Sequence, residues 1–237
     1  FMAETKQVDL AGRKLFVAIP TYDGRVHIKT AYNLAQLMPM VHTHGIGINL
    51  SHMSGCSLIT MARNSLVNEF LKTDADELLF IDADVIVEPD DVMRLLAQSD
   101  GRDIMAGMYP RRAKDKNFFL ELYRDDTDSL VFEGPLLRVN RVGTGFMLIK
   151  REVFTGLIGK VPYYLNNVLD LANPSNGETI HEFFATQIEE DTKILLSEDY
   201  DFCKKARNNG FTVWAAPWVE LSHIGTYSFE GRLLKQP

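Results

Sequence analysis

The strongest constraint on this chain is a regular alternation of short apolar runs with helix-period segments through its first 108 residues. Leu15-Phe16-Val17-Ala18-Ile19, stopped by Pro20, is continuously apolar, as expected of a strand covered on both faces. A helix is expected from about His27 to Met38, ending before Pro39, then a strand from Gly45 to Leu50 and a polar loop through Ser51, His52, Ser54 and Gly55. Thr60–Leu71 is amphipathic, with Leu66, Val67 and Phe70 on its apolar side. Glu77–Ile81 is a third strand, Val85-Ile86-Val87 a short apolar run, and Ile104–Met108 a fourth main strand. Between them a helix opens at Pro89, with Asp90 and Asp91 complementing its N-terminal dipole. Such alternation predicts an α/β fold: a mostly parallel sheet with helices on both faces.

Beyond Met108 the rhythm changes. Segments 118–123, 129–132 and 136–142 are short and strand-like, which predicts a small antiparallel extension. Phe146–Ile149 is a buried strand, Arg151–Phe154 opens a short helix, and a final helix over Glu198–Asn208 precedes strand Phe211–Ala215. The weakly periodic stretch Asn166–Lys193 is either a mobile lid or an ordinary connection with one helix near 181–189. With 237 residues and no long linker or repeat, one domain over 1–237 is expected.

Composition narrows the partners. A formal net charge of −7 and no long basic tract argue against a nucleic-acid binder. No apolar run reaches the roughly 18 residues of a membrane span, and the opening residues lack a basic-then-apolar leader pattern. Cys56 and Cys203 match no zinc spacing; they are free thiols or one disulfide, with a reducing cytoplasm preferred.

The chemistry concentrates in residues 74–91, which hold eight carboxylates and no Lys or Arg. A solvated acidic face accounts for the outer members. It accounts poorly for Asp82 and Asp84, which flank Ala83 directly after Leu78-Leu79-Phe80-Ile81. Ligands of open α/β sheets gather beyond the carboxyl ends of the strands, and Asp82-Ala83-Asp84 would place hard oxygen donors there. Mn²⁺ or Mg²⁺ suits such donors when substrate phosphates complete the shell. His223 could add an imidazole ligand, or be a strand-edge histidine bonded to backbone.

A second signal is Ser197-Glu198-Asp199-Tyr200-Asp201-Phe202-Cys203. Ser197 can cap the helix, and the acids suit its positive end. Asp199 shares a helical stripe with Phe202, Cys203 and Ala206, which places it at the cleft-facing start of the buried face. Glu198 lies about a third of a turn away, toward solvent or a crossing polar contact. A carboxylate placed like Asp199 could take the proton of an attacking hydroxyl.

Taken in order, Val17–Tyr22, Ala62-Arg63-Asn64, Phe80–Val85, Gly143–Ile149 and Ser197–Cys203 resemble the GT-A nucleotide-sugar glycosyltransferases, especially the broad family-2-like inverting group. The resemblance spans about residues 14–225. It implies metal-dependent transfer of a sugar from a nucleoside-diphosphate sugar to a hydroxyl of a carbohydrate or other acceptor. It implies a nucleotide-binding half over about 14–110 and an acceptor-facing half over about 111–225. Pro20, Thr21, Tyr22 and Asp23 would border the base, and Arg63 would lie near the donor phosphates. Asp82 would reach ribose or metal-bound water, Asp84 would be the principal metal ligand and His223 a further one. Gly143, Thr144 and Gly145 would lie beneath donor sugar and acceptor, and Asp199 would be the base with Glu198 beside it. The basic-aromatic acceptor segment that often follows the Glu-Asp helix is not evident; Trp218 could stack on sugar, while Trp214 better fits core packing. A retaining transferase, a sugar-phosphate nucleotidyltransferase and a catalytically silent carbohydrate-binding or assembly protein are the alternatives. No Gly-rich phosphate cradle or Walker pattern supports the second of these.

Overall fold

The computed structural model describes residues 8–109, 118–166 and 177–224, together with the backbone of 228–231. Its centre is a sheet built on β1 (Lys14–Pro20), which pairs in parallel with β2 (Gly47–Met53) on one side and β3 (Glu77–Ile81) on the other. Next to β3 lies β9 (Phe146–Lys150), then β5 (Ile104–Gly107), β14 (Val213–Ala216), β8 (Leu136–Val142) and β6 (Leu120–Leu122). The two-residue β7 (Phe132–Glu133) also pairs with β8.

The expected α/β layering is present, but the sheet is mixed rather than mostly parallel. β9 runs antiparallel to both β3 and β5, and β8 antiparallel to β14, β6 and β7. The reversal is a matter of long-range pairing: β9 arrives from the far half of the chain and enters between two strands of the first half. Its own sequence, Phe-Met-Leu-Ile, is apolar on both faces and suits a central strand of either direction.

Strand alternation sorts side chains into two cores. Leu15, Val17, Ile19, Leu79 and Leu148 face α1 (Ile28–Thr43) and α3 (Pro89–Ala97), which contribute Leu37, Val41, Val92, Leu95 and Leu96. Phe16, Ala18, Leu78, Phe80, Met147 and Ala215 face α2 (Ile59–Leu71), α4 (Arg151–Leu157) and α5 (Glu198–Asn208), which contribute Leu66, Phe70, Phe154, Phe202 and Ala206.

Several expectations are corrected. α1 does not stop before Pro39 but carries it internally to Thr43. A proline costs one helical hydrogen bond, yet Leu37 and Val41 on either side are buried in the sheet-facing core, and the Thr43 hydroxyl bonds the Pro39 carbonyl at 2.8 Å. β2 continues through Ser51 and His52, where a polar loop was expected, because its parallel ladder with β1 runs on to the Pro20–Met53 pair. No helix forms over 181–189; β11 (Thr179–His181) pairs with β10 (Tyr163–Leu165), and β12 (Gln187–Ile188) with β13 (Leu195–Leu196). Phe183 and Phe184 are fully buried there, so this part is pinned to the core rather than lying over it. Positions 167–176 of the expected lid, including Asn173–Asn176, lie outside the described residues.

Glu77, the acid that opens β3, is 1% exposed and receives Ser99 Oγ at 2.7 Å and Lys150 Nζ at 3.0 Å. This network closes the end of β3 opposite to Asp82. Both cysteines are free thiols, Cys203 buried and Cys56 half-buried. Among the described residues no helix is long and apolar enough to cross a membrane.

Candidate functional site

At the carboxyl end of β1 the chain turns through Pro20–Asp23. Thr21 is buried and ties the loop at both ends, its N–H donating to the Met53 carbonyl (2.8 Å) and its hydroxyl to the Arg25 carbonyl (2.9 Å). Asp23 accepts the Arg25 N–H at 3.0 Å, and Gly24 takes φ +73°, a left-handed conformation that glycine adopts without strain. The Tyr22 ring is left outside, 70% exposed. The loop forms one wall of a cleft of about 940 Å³, and Asp82, Ala83 and Asp84 form the opposite wall.

The backbone of Asp82–Asp84 is held from three directions. Asp82 N–H donates to the Gly145 carbonyl (2.9 Å), the Ala83 carbonyl accepts from His27 N–H (3.2 Å), and the Asp84 carbonyl accepts from Ile224 N–H (2.7 Å). β4 (Val85–Ile86), β15 (Leu221–Ile224) and β16 (Ser228–Gly231) form a small antiparallel sheet in which His223 pairs with Val85. His223 thus lies within a strand, and this register sets its Nε2 3.5 Å from Asp84 Oδ2.

The two aspartates have different surroundings. Asp84 is partly exposed to the cleft, whereas both oxygens of Asp82 are held by Arg63, from Nη1 at 2.9 Å and Nη2 at 3.1 Å. Arg63 is only 3% exposed and sits over the Phe80 ring, and its Nε reaches Glu198 Oε1 at 3.4 Å. Burial disfavours the Arg63 charge, but attraction and hydrogen bonding to Asp82, joined by Glu198, outweigh that penalty and hold its pKa above the ordinary range. Arg63 therefore bridges Asp82 and Glu198. This inward role was not evident beforehand, because its partner on α5 is 135 residues away.

Ser197 stands at the N-cap of α5 but makes no side-chain cap bond; its hydroxyl turns to the Asp199 carboxylate, which also accepts Tyr200 N–H at 2.8 Å. Asp199 is 8% exposed and begins the buried stripe with Phe202, Cys203 and Ala206. Burial first, and then the neighbouring Glu198 charge, push its pKa up to about 6. A carboxyl so placed changes protonation state near neutrality, as a proton-accepting group needs.

Gly143-Thr144-Gly145 runs past Tyr109 and Asp82. A Cβ at Gly143 would lie 2.5 Å from Tyr109 Oη, and one at Gly145 would lie 2.8 Å from Tyr109 Cε1 and 3.2 Å from Asp82 Oδ2. The glycines make room for Tyr109 and for Asp82. Thr144 is fully buried, and its hydroxyl has no hydrogen-bond partner among the described residues. Trp214 and Trp218 are both buried: the first donates from Nε1 to Thr212 Oγ1 at 3.0 Å, and the second stacks under the Arg94 guanidinium at 4.4 Å. Neither offers an open face for a sugar.

The sequence did not mark Tyr109, and it marked Asn64 only as part of the Ala62-Arg63-Asn64 motif, with no role of its own. Tyr109 follows β5 at the carboxyl edge of the sheet, and that position was the available signal. Asn64, beside Arg63, exchanges two 2.9 Å hydrogen bonds with the backbone of Phe184, anchoring the loop before α5 to α2.

Among the described residues no three His, Cys, Asp or Glu side chains converge on a cage for a metal ion. Asp84, which lines the cleft, and His223 bring one carboxylate oxygen and one imidazole nitrogen within 3.5 Å of each other. That donor set fits a cation which takes its remaining ligands from water and substrate phosphates, as Mg²⁺ and Mn²⁺ commonly do.

No protein-family model matches this chain, and no curated protein is detectably similar to it in sequence. Among solved structures, A197 from STIV is similar at a TM-score of 0.52 and 21% identity, over 90% of this chain and 86% of that one. This likeness concerns the fold. Weaker likenesses include the Drosophila β1,4-galactosyltransferase 7, solved with manganese, UDP-Gal and xylobiose (TM-score 0.49, 14% identity, 94% of this chain and 71% of that one). Residues 1–349 of S. aureus TarS are similar at 0.47 and 13% identity, over 85% of this chain and 57% of that one.

Proposed function

We propose that this chain is a GT-A-like, metal-dependent glycosyltransferase that moves a sugar from a nucleoside-diphosphate sugar to an acceptor hydroxyl, with inversion at the anomeric carbon. The observation that carries it is the Arg63 bridge from Asp82, in the acidic motif at the cleft, to Glu198 at the start of α5, which immediately precedes the buried Asp199. Asp84 of the same motif lines the cleft and lies 3.5 Å from His223 Nε2. On this reading the cleft beyond the carboxyl ends of β1 and β3 takes the diphosphate, and the Asp199 carboxyl takes the proton.

In this assignment the loop Pro20–Asp23 receives the nucleoside, with the exposed Tyr22 ring as its stacking surface. Asp84 and His223 hold Mn²⁺ or Mg²⁺, which when bound supplies neutralising charge to the departing nucleoside diphosphate. Asp82, both of its oxygens engaged by Arg63, contributes to donor contacts from a fixed orientation. Gly143, Thr144 and Gly145 serve the donor site indirectly, the two glycines leaving room for Tyr109 and Asp82. Asp199 accepts the acceptor's proton as its oxygen attacks the anomeric carbon, and Glu198 sustains its raised pKa. Residues 14–110 serve the nucleotide and 111–225 the acceptor, although their strands share one sheet.

The test is a panel of nucleotide sugars with Mn²⁺ or Mg²⁺ and a set of hydroxyl acceptors, read by mass analysis of transferred sugar and released nucleotide. Release of a nucleoside diphosphate with transfer of sugar, and an inverted anomer by NMR, is expected. Release of pyrophosphate would instead establish nucleotidyl transfer. A retained anomer would displace Asp199 from its role, and metal-dependent nucleotide binding without turnover across the panel would make the chain a binding protein.

A further inference from the structure

Tyr109 belongs to none of the motifs above, yet it touches most of the site. It lies two residues beyond β5, only 8% exposed, with its phenol pressed against the backbone of Gly143 and its ring against Gly145. The ring also meets the His223 imidazole in an edge-on contact, with centroids 5.2 Å apart and planes at 71°. Phe119 braces it further, at 6.0 Å. Burial first, then the charges of Asp82 and Asp199, raise the phenol's pKa above the ordinary range, so it stands neutral among these acids.

We propose that Tyr109 is a positioning residue for the metal–diphosphate centre, holding the His223 imidazole so that its Nε2 faces Asp84. This rests on the functional assignment above and deepens it. An imidazole rotates about two side-chain bonds, so a neighbour packed against the ring restricts the tilts that would carry Nε2 away from Asp84. Outer-shell groups that orient a ligating histidine commonly alter metal affinity by about 10- to 100-fold when removed. Here an aromatic edge takes that place, and its own position is dictated by glycines: no side chain can stand at Gly143 without displacing the phenol.

Three variants separate the parts of this contact. Tyr109→Phe keeps the ring and removes the hydroxyl. Tyr109→Leu keeps an apolar filling and removes the aromatic edge. Gly143→Ala leaves Tyr109 intact but drives a methyl group into it, and the three nearest atoms to that methyl all belong to Tyr109. The readout is Mn²⁺ affinity in the presence of UDP, from the free-ion signal in electron paramagnetic resonance, with thermal melting to verify folding.

Tyr109→Phe should bind Mn²⁺ within about threefold of the parent, whereas Tyr109→Leu and Gly143→Ala should each weaken it by about tenfold or more. Adding His223→Ala to Tyr109→Leu should cost much less than the two losses combined, since both act through one imidazole. Unchanged affinity in folded Tyr109→Leu and Gly143→Ala, or full additivity with His223→Ala, overturns the proposal. If Tyr109→Leu does not fold, Gly143→Ala and its combination with His223→Ala decide the matter. Parent binding that is insensitive to Asp84→Ala would overturn both the metal assignment and this inference. Parent binding that depends on Asp84 but ignores Tyr109 and Gly143 would overturn this inference alone.

Discussion

Replacing Arg63 with Met tests whether the site is built on an internal charge bridge. Arg63 is 3% exposed, and its partners Asp82 and Glu198 are 22% and 16% exposed, so solvent screens the contacts little. Methionine retains apolar contact with Phe80 but leaves two carboxylates, one formerly held bidentately, without their cation. Removing one partner of a buried, hydrogen-bonded ion pair costs about 3–5 kcal/mol. For a chain of this size each kcal/mol corresponds to roughly 2–4 °C, so the melting temperature should fall by roughly 6–20 °C. Arg63→Lys should fall between parent and Met, since an ammonium keeps the charge but cannot present the guanidinium's planar fork. Adding Asp82→Asn and Glu198→Gln to Arg63→Met should restore much of the loss, because the orphaned charges are then gone. Urea denaturation at neutral pH with a circular-dichroism readout measures all of these. A loss below about 1 kcal/mol for Arg63→Met, or no recovery in the triple variant, would refute a buried bridge and return Arg63 to an open, ligand-facing position.

Three further outcomes are expected. Asp199→Asn should fold and bind donor but depress single-turnover transfer by on the order of 10²- to 10⁴-fold; in the parent, transfer should rise as pH passes about 6 and Asp199 ionises. The stability contribution of Asp199 has the opposite sign: its folded pKa is raised, so the contribution is complete below the unfolded value near 4 and lost as pH rises through 6. Glu198→Gln should slow transfer less than Asp199→Asn and move the acidic limb of the pH profile downward, since the Glu198 charge raises the Asp199 pKa; an unmoved limb would count against that coupling. Asp84→Ala should nearly abolish Mn²⁺-dependent nucleotide binding in calorimetry, with His223→Ala weakening it and Asp82→Ala damaging donor binding less completely; parent-like affinity in the Asp84 and His223 variants would exclude the pair as ligands.

What the chain states locally, it states clearly. β3 occupies Glu77–Ile81 and α5 occupies Glu198–Asn208, as their apolar run and acidic first turn predict, and α3 begins at Pro89. Such features depend on neighbours within a few residues: a continuous apolar run needs cover on two faces, and a proline followed by acids suits only the start of a helix. Motif order likewise marks Asp82, Asp84 and Asp199 as candidate groups. The tertiary structure alone decided how they meet. Inserting β9 against the direction of β3 and β5 brings the Gly145 carbonyl to Asp82 and turns an expected parallel sheet into a mixed one. Pairing β15 with β4 sets His223 beside Asp84, and the fold gives Arg63 two carboxylates, Asp82 from 19 residues away and Glu198 from 135. Tyr109, with no motif to mark it, gains its place only because Gly143 and Gly145 leave it a hollow next to His223. Periodicity and capping are short-range and survive in a linear reading; strand direction, ion-pair partners and the fit of a ring into a glycine hollow depend on contacts between distant residues, which exist only once the chain has closed on itself.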